Sequence, residues 1–312
     1  YMAIKKRFRH KKLIISISIL LICGTIILSY SNNLNIPTWN KIYNYLNISK
    51  GTVDVNYEDY PLSVHILNVG KADAIYIKSN DKNILIDSGD TDTKDQVIQY
   101  LNNNKIQQFD LIIATHPHKD HIAGMDNIIN TFPINRFIMP KLSETIIPTT
   151  KTYNSMINSL KDNNITVESP IAGDNFKIGE INIDILGPIK EYDNLNNNSV
   201  IAKLAYKNTS FLFVGDAEKE AETDLISSGA NLKSTVLKVG HHGSKTSTTQ
   251  KFLNAVNPEY SVISVGPDSN NLPKDSIINR LKNNNIKTYR TDKSGTIIFT
   301  SDGDNINVFT EK

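Results

Sequence analysis

The segment ATHPHKDHIAG, residues 114–124, holds three of the chain's seven histidines and an aspartate within six positions. Imidazole and carboxylate together suit Zn²⁺ and the neighbouring first-row divalent ions. Pro117 biases His116 toward extended backbone, where residues i and i+2 project the same way, so His116 and His118 can converge on one point. The residues DHIAGMDNII then read as the start of a helix, with Asp120 and His121 in its first turn. A sharp strand-to-helix turn of this kind can set two pairs of ligands around two adjacent ions.

A catalytic centre needs ligands from elsewhere in the chain, and three other polar clusters each follow an apolar run. NILIDSGD carries Asp87, FLFVGDAE carries Asp216, and VLKVGHHGS carries His241 and His242. All four clusters therefore stand at strand exits, on loops that one sheet edge could bring together. Taken alone, GD at Asp216 is equally a turn, and HHGS is equally a turn or an anion-binding nest; their order and their position after strands favour ligands. The remaining histidines read differently: His65 lies inside an apolar run as a hydrogen-bonded core group, and His10 belongs to a basic flank.

The elements that must carry these residues follow from periodicity. Strand-like runs appear at LSVHILNV, AIYIK, NILID and DLIIAT, with a helical pattern at KDQVIQYLNNN before the last of them. The second half repeats the alternation: SVIAKLAY and SFLFVG pair across a KNT turn, a helix starts near Glu218, and STVLKV and YSVISV flank a helix near Thr248–Ala255. Strands interleaved with helices predict a layered α/β domain of two sheets with helices outside.

The front of the chain has a different texture. Residues 1–12 carry six Lys or Arg and no acid, and residues 13–30 carry no charge, a run long enough to span a bilayer. The expected organisation is a basic cytoplasmic flank (1–12), a transmembrane anchor (13–30), a polar Asn-rich linker (31–60) and the layered α/β domain with its candidate ligands (61–312), which puts that domain outside the cytoplasm. A signal peptide cleaved near Ser29–Ser31 is the rival reading, and a buried core helix is the third. The single cysteine, Cys23, lies in the apolar run, so no disulfide frames the rest. Beyond residue 31 the chain has 28 basic and 32 acidic residues, a net of −4, which argues against duplex binding over a broad basic surface.

Asp87, HPHKDH, Asp216 and GHHGS, in that order, resemble the metallo-β-lactamase superfamily. More narrowly, HILNVGKADAIYI, NILIDSG, NNNSVIAKLAYKNTSFLFVGD, VLKVGHHGSKTS and YRTDKSGTI are similar to the hydrolase domain of ComEC-type competence proteins over roughly Val64–Thr300. The resemblance implies a four-layer αβ/βα sandwich with two divalent ions, Zn²⁺ first and Mn²⁺ second, at the sheet edge. It implies that His116 and His118 hold one ion with a histidine of the last motif, His242 before His241. Asp120 and His121 would hold the other, with Asp216 bridging and Asp87 orienting a ligand histidine. Asn198 and Ser199 stand where better-known members carry a further histidine. Resembling sequences read D-V-G-Q-G-D where this chain has Asn68, Gly70, Lys71, Ala72 and Asp73, and they often carry a histidine at Leu272. Asp73 is retained, so these departures bear on substrate choice more than on metal.

The function so implied is an extracytoplasmic, membrane-tethered metallohydrolase acting on phosphodiesters, with DNA first. Asp120 would orient the attacking water, and His241, Ser244 or Lys245 would meet developing negative charge. The alternatives are a phosphoesterase on a cell-surface polymer such as choline-decorated teichoic acid, and a non-catalytic metal- or partner-binding module that kept the fold.

Overall fold

The computed structural model describes Tyr60–Lys312 except Asp268. The expected flank, anchor and nearly all of the expected linker therefore lie outside the described residues, among which no helix is long and apolar enough to cross a membrane.

In chain order the first half contributes β1 (Leu62–Ile66), β2 (Ile75–Ser79), β3 (Lys82–Ile86), α1 (Lys94–Asn103) and β4 (Leu111–Ile113). Short helices α2 (Lys119–Ile122) and α3 (Met125–Thr131) follow, then β5 (Phe137–Ile138), α4 (Lys151–Asp162) and β6 (Val167–Glu168). The second half begins with β7 (Asn175–Ile178), β8 (Ile181–Gly187), β9 (Ile201–Tyr206), β10 (Thr209–Phe213), α5 (Lys219–Ser227) and β11 (Val236–Lys238). A 3-10 turn (Gly240–Gly243) leads to α6 (Gln250–Val256), β12 (Tyr260–Ile263), α7 (Asp275–Asn283) and β13 (Lys287–Arg290). Helix α8 (Thr291–Ser294) and the hairpin β14 (Ile297–Ser301) and β15 (Ile306–Thr310) complete the chain.

The strands form two mixed sheets, one of eight in the order β15-β14-β1-β2-β3-β4-β5-β6 and one of seven in the order β13-β12-β11-β10-β9-β8-β7. In each sheet one half is parallel: β3 to β6 in the first and β10 to β13 in the second. Parallel strands are covered on both faces, which is why LII of β4 and VLK of β11 are buried throughout.

One apolar layer joins the two sheets, with Val64, Ile77, Ile113 and Phe299 from one and Phe211, Phe213, Val236 and Val262 from the other. Phe299 packs edge-on against Phe211, Tyr260 and Tyr289 at centroid distances of 6.2, 6.3 and 6.0 Å. Fully burying each such ring contributes about 1.5–3 kcal/mol. A second layer seats α1, α3 and α4 on the outer face of the first sheet through Val97, Leu101, Met125, Ile128 and Met156. A third seats α5, α6 and α7 on the second sheet through Leu225, Phe252, Leu253, Ile277 and Leu281. The expected layering of helices outside two sheets is thus the observed one.

Two local differences matter for the site. The helix expected to run on from Asp120 breaks at Gly124, where a Cβ would lie 2.6 Å from the Ser88 carbonyl oxygen. The interruption lets α2 sit against the exit of β3. The C-terminal hairpin, which periodicity did not announce, returns to pair β14 with β1, Phe299 opposite Val64. His65 on β1 is the core histidine its setting suggested: Nδ1 lies 2.6 Å from the Tyr100 hydroxyl and Nε2 2.8 Å from Ser63 Oγ. Burial lowers its pKa to about 3, so it is neutral.

Candidate metal centre

Parallel strands deliver their carboxyl ends to one edge, and the functional side chains leave from those ends. Asp87 follows β3, His116 and His118 follow β4, Asp216 follows β10, and His241 and His242 follow β11.

At the β4 exit the backbone of His118 is extended (φ −77°, ψ 152°) and caps α2. His116 Nε2 and His118 Nδ1 consequently meet at 3.0 Å. Burial holds both imidazoles below their ordinary pKa, His116 well below. One turn later His121 is buried, its Nδ1 2.7 Å from Asp87 Oδ2. Asp87, at φ +58°, also accepts the Thr115 amide at 2.8 Å and the Thr115 hydroxyl at 2.7 Å. With its Nδ1–H given to Asp87, His121 turns Nε2 toward the site, where the neutral ring would offer its lone pair to an ion. Burial opposes charge on His121, but Asp216 and Asp87 outweigh it and hold this imidazole well above its ordinary pKa in the metal-free protein.

The β11 exit turns sharply, and His241 (φ 49°) and His242 (φ 52°) both take the left-handed backbone that side chains rarely adopt. Such strain persists where surrounding structure enforces it. Here the enforcing contacts include Pro273, whose Cβ would lie 2.4 Å from a Cβ on Gly243, and the Lys274 amide, which donates to the Gly243 carbonyl at 2.9 Å. His242 donates Nδ1–H to the Ser264 carbonyl at 2.9 Å, which leaves its Nε2 lone pair facing Asp120 and Asp216, 3.6 Å from one oxygen of each. His241 is part-exposed, with Nε2 3.6 Å from Asp216 Oδ2 and Nδ1 3.3 Å from Glu218 Oε1.

Asp216 stands between the two halves. Its Oδ1 lies 3.4 Å from His121 Nε2, and its Oδ2 lies 3.8 Å from His116 Nε2. Ser199 Oγ accepts the Asp216 amide at 3.1 Å, and Gly215 (φ +51°) has no room for a Cβ beside Ser199.

These side chains fit divalent ions on two counts. His121 Nε2, Asp216 Oδ1 and His242 Nε2 are buried and lack hydrogen-bond partners among the described residues, a cost of about 1–3 kcal/mol for each atom. Their separations of 3.4 and 3.6 Å also match the edge of about 3.4 Å between two ligands that share one tetrahedral ion. Ligand atoms converge within 4.8 Å in three overlapping sets: His116, His121 and Asp216; Asp120, His121 and His242; Asp73, Asp87 and His121. Among these sets His242 stands with Asp120 and His121, and His116 stands with His121 and Asp216. The left-handed pair turns the two neighbouring imidazoles to different sides of Asp216.

Two lysines also reach the site. Lys238 is buried on β11, with Nζ 3.0 Å from Asp73 Oδ2. Burial would raise the Asp73 pKa, but Lys238, His242 and His121 overcome it and hold the carboxyl below its usual range. Lys71 donates to Asp120 Oδ2 at 2.9 Å. Burial pushes Asp120 up, and His121, His242 and Lys71 together hold it well down. Neither lysine was a sequence candidate for the site. The signal available was a polar residue breaking VLKV, and a lysine in place of the glutamine of resembling sequences.

Other expected residues lie nearby with different duties. Asn198 spends its amide on the backbone of its own loop, donating to the Tyr192 and Asn194 carbonyls at 2.7 Å each and accepting from the Tyr192 amide at 3.1 Å. Ser199 supports Asp216, as above. Ser244 Oγ pairs with Thr246 Oγ1 at 3.0 Å within the turn, and Lys245 is exposed on that turn.

The comparisons agree with this architecture. A model of the metallo-beta-lactamase superfamily matches residues 67–266. ComE operon protein 3 of Bacillus subtilis (strain 168) is 27% identical over 256 residues, covering 75% of this chain and 32% of that protein. Competence protein ComA of Neisseria gonorrhoeae is 25% identical over 289 residues, covering 90% and 38%. The chain thus spans about a third of the length of these curated relatives. Among solved structures, the metallo-beta-lactamase fold protein YhfI of Bacillus subtilis aligns at TM-score 0.50 and 11% identity over 78% of this chain and all (100%) of that one. CmlA, a diiron beta-hydroxylase from Streptomyces venezuelae, aligns at TM-score 0.52 and 11% identity over 80% and 54%. At such identities these structures speak for the fold alone.

Proposed function

We propose that this chain, which belongs to the metallo-beta-lactamase superfamily, is a metal-dependent phosphodiesterase with DNA as its first substrate class. The observation that carries the hydrolytic reading is the convergence of His121 Nε2, Asp216 Oδ1 and His242 Nε2, buried and without hydrogen-bond partners among the described residues. The names of the relatives, competence proteins, support DNA over other diesters. We place the domain outside the cytoplasm, tethered by residues 13–30, on the charge pattern of the N-terminal segment.

Divalent cations held by His116, His118, Asp120, His121, Asp216 and His242, two of them and Zn²⁺ or Mn²⁺ by ligand type, would supply Lewis acidity and a nucleophile at neutral pH. The chain's own residues do the rest. Asp216 presents one oxygen to His121 and His242 and the other to His116 and His241, so it ties both halves together. Asp120, on the solvent side of the cluster, orients the attacking water. Asp87 and the Ser264 carbonyl fix the tautomers of His121 and His242. His241, part-exposed and backed by Glu218, is positioned to hand a proton from Nε2 to a leaving oxygen.

The test uses the full chain purified without chelator. Bound metal is quantified and the same sample is assayed with Zn²⁺ and with Mn²⁺ on bis-p-nitrophenyl phosphate and on single-stranded DNA. Chelator-sensitive diester cleavage is expected, abolished by Asp120→Asn with fold and metal content retained. Undiminished turnover in Asp120→Asn removes this mechanism. Cleavage of the small diester without DNA cleavage moves the substrate to a cell-surface polymer, the reading that the net acidity beyond residue 31 favours. Metal without turnover of either leaves a binding module.

A further inference from the structure

We propose that Lys71 is the residue by which this site selects an anionic phosphoester. Its ammonium, held beside Asp120, donates to a non-bridging oxygen of the bound phosphate. This deepens the phosphodiester reading and rests on it.

The loop that carries Lys71 is fixed rather than draped over the site. Gly70 adopts φ +72°, and Gly266, just past β12, approaches so closely that a Cβ there would lie 2.6 Å from Gly70 Cα and 3.0 Å from the Lys71 amide nitrogen. On the far side of Lys71 the Asp73 amide donates to the Asp120 carbonyl at 3.0 Å, and the Asp73 side chain is locked to buried Lys238. The backbone on either side of Lys71 is thus held, at Gly70 against Gly266 and at Asp73 against Asp120. Lys71 Nζ reaches Asp120 Oδ2 at 2.9 Å, and that oxygen lies 3.6 Å from His242 Nε2.

Depth separates the two lysines of the site. Lys238 is 1% exposed and is committed to Asp73, whereas Lys71 is 25% exposed and touches Asp120, itself 17% exposed. The cluster beneath them, His116, His121, His242 and Asp216, is at most 3% exposed. Lys71 and Asp120 are thus nearer to solvent than the buried cluster that ends on Asp216.

An ammonium there discriminates by charge. It is a compact point charge with three N–H donors, so it meets a phosphate oxygen in several orientations without demanding planar geometry. A phosphodiester brings a full negative charge to that position, and a neutral ester or lactam brings none. Glutamine, the residue of resembling sequences at this place, donates without charge.

The experiment compares the full chain, metal-replete, with Lys71→Gln and Lys71→Arg. Inorganic phosphate is titrated by calorimetry, which needs no turnover, and metal content is measured on the same samples. KM and kcat for bis-p-nitrophenyl phosphate are determined in parallel. Lys71→Gln is expected to weaken phosphate binding by about ten- to a hundredfold, the scale of one charge-assisted hydrogen bond. The loss should appear mainly in KM, and Lys71→Arg should recover most of it at equal metal content. Unchanged phosphate affinity in Lys71→Gln overturns the assignment. So does a rise of bound metal in that variant, which would mean that Lys71 neutralises Asp120 in competition with an ion. Lysine-dependent phosphate binding without diester turnover supports the anion-selecting role while sinking the phosphodiesterase reading.

Discussion

Asp87 does its work through another residue. Its carboxylate takes the Nδ1 proton of His121 at 2.7 Å and is itself fixed by the Thr115 amide and hydroxyl, so the imidazole can offer only Nε2 to the site. Asp87→Asn keeps the volume but presents an amide that can supply a proton where one must be accepted. Losing such an orienting partner costs about 10- to 100-fold in metal affinity. That loss, with the fold retained, is the expected result of a competition titration against a chelating dye, and unaltered affinity would show that the tautomer is fixed elsewhere. At this scale the sequence was most readable where backbone and chemistry coincide. His116-Pro117-His118 announced its convergence because proline sets the backbone. The pairings of Lys71 with Asp120 and of Lys238 with Asp73 were unreadable because these partners meet only after loops close across the sheet edge. The bonds of Asn198 to its own loop were equally invisible, since nothing in the sequence around an asparagine shows which carbonyls its amide will meet.

The elements explain why loops so far apart in sequence hold one geometry. Strands β3, β4, β10, β11 and β12 run parallel in their two sheets, and their carboxyl ends supply Asp87, His116, Asp216, His242 and Ser264. Most of this was legible: apolar runs located many of the buried strands to within a few residues, while β5 to β8, β13 and β15 escaped as short or half-exposed strands, and β14 escaped although it is buried throughout. Close packing between loops was not legible at all, and Gly266 illustrates it. A methyl group there would press on the backbone of Gly70, so Gly266→Ala should shift the loop bearing Lys71 and cost about 1–3 kcal/mol, the usual penalty of overpacking. A urea midpoint measures it, and wild-type stability in the variant would mean that the loop yields freely. Glu222 on α5 is the corresponding anchor for the turn after His242, accepting the amides of Thr248 and Thr249. Burial raises its pKa above the ordinary 4.5 despite those bonds and nearby Arg280. Between 4.5 and the raised value the unfolded chain has lost a proton that the folded chain keeps, so this group's contribution to stability falls as pH rises through that window. Glu222→Gln lacks that slope and presents an amide nitrogen to one of the two donors. In metal-stripped protein it should therefore be less stable than wild type throughout, with the gap narrowing as pH rises from 4.5, a trend that paired thermal melts would reveal.

At the scale of the whole molecule, the site is an expense that the two sheets sustain. Asp73, Asp87, Asp216, His116, His121 and His242 are each at most 2% exposed, in a position between sheets where apolar side chains would pack without penalty. The buried pairs of Lys238 with Asp73 and of His121 with Asp87 and Asp216 offset part of this, but a buried pair often returns little more than its desolvation cost. The Nε2 of His121, Nε2 of His242 and Oδ1 of Asp216 make no hydrogen bond among the described residues and face one another only at 3.4 and 3.6 Å. A ligand that binds only the folded state adds stability by mass action, about 2.7 kcal/mol at a hundredfold excess over its Kd. In a domain of this size each kcal/mol moves the midpoint by about 2–4 °C. Chelation of the full chain should therefore lower its melting temperature by roughly 5–10 °C at that excess, and restoring Zn²⁺ or Mn²⁺ should reverse the shift. The magnitude should collapse in His242→Ala, which removes one of the orphaned atoms. A midpoint indifferent to both chelator and metal would mean that the fold already satisfies these groups by itself, and the buried histidines would then need an explanation other than an ion.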